Sequence, residues 1–203
     1  MMSIKAIVFD FGGVLLKWNP YNILRPYFAD DQGAMENFLR EVNFAEWNAE
    51  QDRGRSFSEG VAVLSKQFPQ YTPIIRALHE NWESSIDGAF DENILLLLRL
   101  KDEGYSIYGL SNWSAETFPL ARKRYNFFEV FDGIIISGEV KLIKPDPSIF
   151  ELCLQMARKP AQECLFIDDS EANIISAKQI GFDTIHYKSS EQLKAELQSR
   201  KLI

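Results

Sequence analysis

The chain has 203 residues, 46% of them hydrophobic and 25% charged, enough for one sizeable core with room for a small satellite domain. Its 22 basic against 29 acidic side chains give a formal charge of −7, and no basic run interrupts the sequence. That balance argues against nucleic acid or an anionic membrane as partner, although a local cation or a bound metal could still recruit a small anion.

The first apolar run, residues 4–9, reads as a buried strand ending in Asp10. It is too short for a signal-peptide core and lacks a small-residue cleavage site, so a cytoplasmic location is expected. From residue 20 to 87 no strand pattern is visible. Trp47, Phe57, Phe68 and Trp82 lie there among amphipathic helical stretches punctuated by Gly54, Gly60, Pro69 and Pro73. This segment reads as a helical insertion after the first strand. Asp91 is placed to cap a helix over residues 92–103, stopped by Gly104. Ile94 to Leu98 form an apolar run, but Arg99 and Lys101 end it far short of a membrane span.

Strands are expected at residues 106–110 and 133–137. Asp146-Pro147, an N-cap followed by proline at the first helical position, opens a helix over 148–157. A further strand over 164–167 leads through Asp168-Asp169-Ser170 into a helix over 171–180 closed by Gly181, then a strand over 184–187 and a helix from Ser190 to Gln198. Alternating strands and helices predict a doubly wound, mainly parallel α/β sheet covered on both faces, with a small helical cap inserted after the first strand. The core would span residues 1–19 and 88–203, and the cap residues 20–87. Cys153 and Cys164 lie in separate elements with neither metal-ligand nor disulfide spacing, as expected of buried thiols in a reducing compartment.

Ligands of open parallel sheets bind at the carboxyl ends of the strands. Here those ends offer Asp10, Ser111-Asn112 and Asp168-Asp169, and Lys144 follows the third expected core strand. Carboxylates crowded on one rim repel each other by about 4 kcal/mol per close pair at an effective dielectric of about 20. A hard divalent cation relieves that repulsion, and Mg²⁺ suits a few carboxylates with a phosphate and waters.

Phe9-Asp10-Phe11-Gly12-Gly13-Val14, Leu110-Ser111-Asn112, Lys144-Pro145 and Ile167-Asp168-Asp169-Ser170 resemble, in order, the four motifs of the haloacid dehalogenase superfamily. The resemblance spans the whole expected core. It implies a hydrolase acting on a small phosphorylated substrate, with Asp10 as covalent nucleophile. Asp10, the Gly12 carbonyl and Asp169 would hold Mg²⁺, with Asp168 binding it or supporting a ligand. Ser111 and the backbone near Gly13 would take phosphate oxygens, and Lys144 would neutralise charge between nucleophile and phosphoryl group.

One position departs from the pattern. Phosphatases of the superfamily carry a second Asp two residues after the nucleophile as general acid and base, and here Gly12 stands there. A positioned acid contributes roughly 10²–10⁴ in rate. The same substitution characterises the branch of bacterial α-D-glucose-1-phosphate phosphatase, whose anomeric leaving oxygen is already acidic, and the sequence resembles that branch. In this reading a cap residue or a metal-bound water assists hydrolysis of the intermediate. Two alternatives use the same residues. A metal-free 2-haloacid dehalogenase would direct Asp10 at carbon, although Asp168-Asp169 would be costly there without a cation. A non-catalytic phosphate-binding protein would have lost activity with Gly12.

In the insertion, Asp52 and Arg53 precede Gly54 in a polar turn where related enzymes place substrate-selecting residues; the plainer reading is a solvated turn with Trp47 in the insertion's own core. Asn112 and Trp113 are expected at the pocket, whereas His79 and His186 show no ligand spacing. No pattern in the sequence sets an oligomeric state.

Overall fold

The computed structural model describes residues 3–203. Its strands are β1 (Ala6–Phe9), β2 (Leu16–Trp18), β3 (Ile86–Ala89), β4 (Ser106–Ser111), β5 (Gly133–Ile136), β6 (Cys164–Asp168) and β7 (Asp183–His186). Five of them form a parallel sheet in the order β5-β4-β1-β6-β7. Successive side chains of a strand point to opposite faces. Ile7 and Phe9 accordingly enter one apolar core, while Ala6 and Val8 enter the other. Burial on both faces explains why these strands read as continuous apolar runs rather than as alternating ones.

The helices flanking the sheet are α6 (Asp91–Asp102), α7 (Phe118–Arg124), α8 (Ser137–Val140), α9 (Pro147–Ala157), α10 (Glu171–Ile180) and α11 (Ser190–Ser199), after α1 to α5 of the insertion described next. Asp146 accepts from Ser148 N at 2.8 Å with Pro147 behind it, as its sequence position predicts. Gly104 and Gly181 close α6 and α10 at φ 91° and 107°, the left-handed region that a side chain resists. One expected cap shifts by one residue. Phe90, not Asp91, holds the capping position of α6, because its N–H is taken by Leu15 O and its own carbonyl accepts from Asn93 and Ile94. Ser189 caps α11 through Gln192 N at 3.2 Å.

Strand bounds move as well. β4 and β6 run on to Ser111 and Asp168, which pair with Ile136 and His186. β1 begins only at Ala6, although the Lys5 backbone already donates to Glu163 O at 2.8 Å and accepts from Ser106 N at 3.1 Å. The sequence reading finds no strand pattern in the insertion, whereas β2 and β3 form an antiparallel ribbon, with Leu16 opposite Ala89 and Trp18 opposite Ile86. The chain leaves and re-enters the core through this ribbon. Between its strands lie α1 (Tyr21–Phe28), α2 (Gln32–Glu41), α3 (Phe44–Asp52), α4 (Phe57–Gln67) and α5 (Thr72–Glu80). Phe38, Trp47, Phe57, Leu64, Ile75 and Leu78 are buried among them. No described helix is long and apolar enough to cross a membrane.

Candidate active site

β1 is the middle strand, and the connections from its two neighbours run in opposite directions, so a crevice opens at its carboxyl end. Asp10 sits there, 8% exposed. Its Oδ1 accepts from Phe11 N and Ser111 Oγ, both at 2.7 Å, and lies 3.0 Å from Lys144 Nζ. Among the described residues, Oδ2 carries no hydrogen bond and is the open side of the group. The turn after it is held by Leu15 N and Leu16 N, which both donate to Phe11 O at 2.8 Å. Phe11 itself packs into an aromatic cluster with Phe118, Phe128 and Phe131. Gly109, beside Phe9 in β4, leaves the room its ring needs.

Lys144 is buried, and its ammonium donates to Leu110 O at 2.8 Å and to Asp168 Oδ2 at 2.6 Å. Asn112 fixes the lysine's backbone from both sides, accepting from its N–H at 2.8 Å and donating to its carbonyl at 2.9 Å. Asp168 is fully engaged. Besides Lys144 it receives Ser170 N at 2.8 Å and Asn173 Nδ2 at 3.0 and 3.1 Å. These donors occupy its lone pairs, so Asp168 orients Lys144 and the strand end rather than presenting a free oxygen.

Asp10, Asp168 and Asp169 each place a carboxylate oxygen within 4.8 Å of the others. Burial drives the Asp10 carboxyl up to about 7, with Asp168 and Asp169 adding to the rise and Lys144 and Ser111 opposing it. The Lys144 ammonium and the Ser111 hydroxyl do not offset the desolvation of Asp10. Asp169, the most exposed of the three, is also raised, by partial burial and by Asp168. Burial opposes the charge on Lys144, but its two carboxylate partners raise its pKa overall. Gly13 has φ 75°, and a Cβ there would run into the Asp169 carboxylate; only glycine lets Asp169 approach the turn. The donors are hard oxygens with a surplus of negative charge, the chemistry that suits Mg²⁺.

A cavity of about 290 Å³, near the lower end of the range for small-molecule sites, opens over this rim. It is lined by Asp10, Gly12, Gly13, Ser111, Asn112, Trp113 and Asp169 from the core and by Asn48, Asp52 and Phe57 from the insertion. The structure thus brings most of the sequence-predicted residues to one place, with Lys144 and Asp168 directly behind the wall. Arg53 is not among them. It is exposed and turned to Glu50 at 2.6 Å and Glu46 at 3.5 Å. Asp52 faces inward, and burial, followed by the charge of Asp10, pushes its carboxyl up to about 7 against the effects of Ser114 N–H and Arg53.

Sequence reasoning missed Trp18, Asn48, Ile86, Ser114 and Thr117 in the lining, and Phe57 and Trp82, noted only as insertion aromatics, line it too. It also missed Asn173 behind Asp168. Asn173 had a legible signal, a polar residue in the first turn of the helix after Asp168-Asp169. The others gave none, because they converge only through tertiary folding. Trp47 belongs to the insertion's core, its Nε1 donating to Gly60 O at 2.9 Å.

The model of haloacid dehalogenase-like hydrolases matches residues 4–181. The chain belongs to this family. Among the relatives of this haloacid dehalogenase-like hydrolase, a sesquiterpene phosphatase of Aspergillus oryzae is 27% identical over 93% of the chain and 92% of its own length. A D-ribitol-5-phosphate phosphatase of Bacteroides thetaiotaomicron is 25% identical over 96% and 97%. A crystal structure of a haloacid dehalogenase family enzyme from the same bacterium, in complex with magnesium and inorganic phosphate, superposes with TM-score 0.69 at 28% identity, covering 92% of this chain and 95% of that one. The family makes the protein a hydrolase of the haloacid dehalogenase-like kind.

Proposed function

We propose that the protein is a Mg²⁺-dependent phosphatase that hydrolyses a small phosphorylated metabolite through an aspartyl-phosphate on Asp10. The observation that carries this reading is the rim itself: three carboxylates within 4.8 Å of one another, backed by the Lys144 ammonium and opening into a cavity of metabolite size. Asp10, Asp169 and the Gly12 carbonyl would hold the ion, with Asp168 supporting them. A bound Mg²⁺ supplies positive charge that offsets the carboxylates and the phosphoryl oxygens. The chain's own residues do the remaining work. Ser111, Phe11 N–H and Lys144 hold one oxygen of Asp10 so that the carboxylate faces the cavity in a single orientation. The carboxylate attacks phosphorus and displaces the substrate's oxygen, and water later releases phosphate. Residues 20–87 serve as the cap that shields this chemistry from bulk solvent, over a core of residues 1–19 and 88–203.

The lining also selects the substrate's body. Every charged side chain that lines the cavity, among the described residues, is acidic, while Trp18, Phe57, Trp82 and Trp113 supply aromatic faces. A second anionic group would find no cation there, so the substrate is a monoester whose body is uncharged, such as a sugar or an apolar alcohol. The names of the two relatives, for a sesquiterpene and for ribitol 5-phosphate, fit that description. A 2-haloacid does not fit, because its carboxylate would lie unpaired among Asp10, Asp52 and Asp169. The test is a screen of phosphomonoesters with and without Mg²⁺, with a 2-haloacid on the same plate. Turnover of monoesters with neutral bodies only in the presence of Mg²⁺ is expected. Halide release independent of metal would overturn the proposal.

A further inference from the structure

We infer that Asp52, carried by the helical insertion, is the acid–base residue of this site, taking the role for which position 12 of the chain has no side chain. The inference rests on the phosphatase reading above. Gly12 lines the cavity, its φ lies outside the left-handed region, and a Cβ built there meets nothing within 4 Å. Space at position 12 therefore does not exclude a carboxylate; the chain has none there. Three acidic side chains do line the cavity, Asp10, Asp52 and Asp169. Asp10 and Asp169 belong to the carboxylate cluster, and Asp52 stands outside it. It is the cavity acid left free to carry a proton.

Asp52 is held as such a residue needs to be. Its carboxylate accepts from Asn48 Nδ2 at 3.0 Å and feels the nearby Ser114 backbone N–H, two neutral groups that orient it without fixing its charge. The neighbouring Arg53 is occupied by Glu46 and Glu50 on the outer side. The Asp52 carbonyl accepts from Ser137 Oγ at 2.6 Å, and the same hydroxyl accepts from Trp113 N at 2.9 Å. Gly54, at φ 102°, lies against Gly138 O so closely that a Cβ would come to 3.0 Å from it. The turn is thus fastened to the start of α8 and, through Ser137, to Trp113 in the segment that follows Ser111. Burial keeps the carboxyl able to hold and release a proton near neutral pH.

As the Asp10 oxygen bonds to phosphorus, the bond from phosphorus to the substrate's oxygen breaks, and that oxygen takes the Asp52 proton to leave as an alcohol. Water then attacks the aspartyl-phosphate and gives one proton to the Asp52 carboxylate. The bond between phosphorus and Asp10 breaks, phosphate leaves, and both residues return to their starting states.

The experiment compares Asp52→Asn with the unaltered protein on two substrates, an alkyl or sugar phosphate and p-nitrophenyl phosphate, whose leaving oxygen needs no proton. For the alkyl ester, kcat/KM is expected to fall roughly 10²–10⁴-fold. For the nitrophenyl ester kcat/KM falls far less, while slow hydrolysis of the intermediate gives a burst and an accumulated phosphoenzyme. Adding Gly12→Asp to Asp52→Asn is expected to restore much of the lost rate. Equal losses on both substrates, or none, overturn the inference. Asp10→Asn, run alongside, separates the two claims: activity that needs Asp10 but not Asp52 leaves the phosphatase reading standing and removes this one. Absence of Mg²⁺-dependent turnover in the unaltered protein removes both.

Discussion

Asp10→Asn changes one atom of the site, so its effect on stability can be worked out from the contacts. Asparagine keeps an oxygen to accept from Phe11 N, Ser111 Oγ and Lys144 Nζ, and Lys144 keeps Asp168 as its counter-ion. What disappears is one buried negative charge. A carboxyl raised from 3.8 to about 7 prefers its neutral form by about 4 kcal/mol, at about 1.36 kcal/mol per pH unit. The folded-state value lies above the unfolded one, so between about pH 4 and 7 the folded protein holds a proton that the unfolded chain releases. Metal-free stability therefore falls as pH rises through that window. The variant lacks the group and escapes this loss. Urea denaturation in EDTA should give equal stabilities near pH 4, with the variant ahead by up to about 4 kcal/mol at pH 8. Mg²⁺ should reverse the order by stabilising the unaltered protein more. A variant that is less stable at pH 8 without metal, or unchanged across the whole range, would refute the idea that burial, aided by the neighbouring carboxylates, disfavours the Asp10 charge.

Gly13→Ala places a Cβ against the Asp169 carboxylate at a backbone φ of 75°. A loss of about 1–3 kcal/mol in thermal denaturation and a roughly 10–100-fold drop in Mg²⁺ affinity by calorimetry are expected. Lys144→Met leaves Asp10 and Asp168 facing each other with no cation, and costs about 3–5 kcal/mol in denaturant titrations, part of it recovered in Mg²⁺. Arg53→Ala removes exposed pairing with Glu46 and Glu50 and one charge that lowers the Asp52 pKa, so stability should stay within about 0.5 kcal/mol while the pH profile of turnover moves upward.

The sheet was legible because its strands are buried on both faces, which leaves unbroken apolar runs such as Ile7-Val8-Phe9 and Leu165-Phe166-Ile167. The residues of the rim were legible for a related reason: each polar residue stands where such a run stops. The ribbon was not legible. Leu16-Lys17-Trp18 and Ile86-Asp87-Gly88-Ala89 are too short and too polar to stand out, and they are strands only because they pair across the whole insertion. Asp52 and Arg53 show the same limit at single-residue scale. Both sit in one polar turn, yet one faces the cavity and the other faces solvent. The difference comes from Ser137 and Ser114, which are distant in sequence and bind the turn only once the insertion has docked on the core.

The most direct test of the account is to quench turnover in acid and analyse the peptide containing Asp10 by mass spectrometry. The account predicts one added phosphoryl group on Asp10, formed only when Mg²⁺ is present and absent in Asp10→Asn. Steady turnover of a phosphomonoester with Asp10 never phosphorylated, and with Asp10→Asn as active as the unaltered protein, would contradict it.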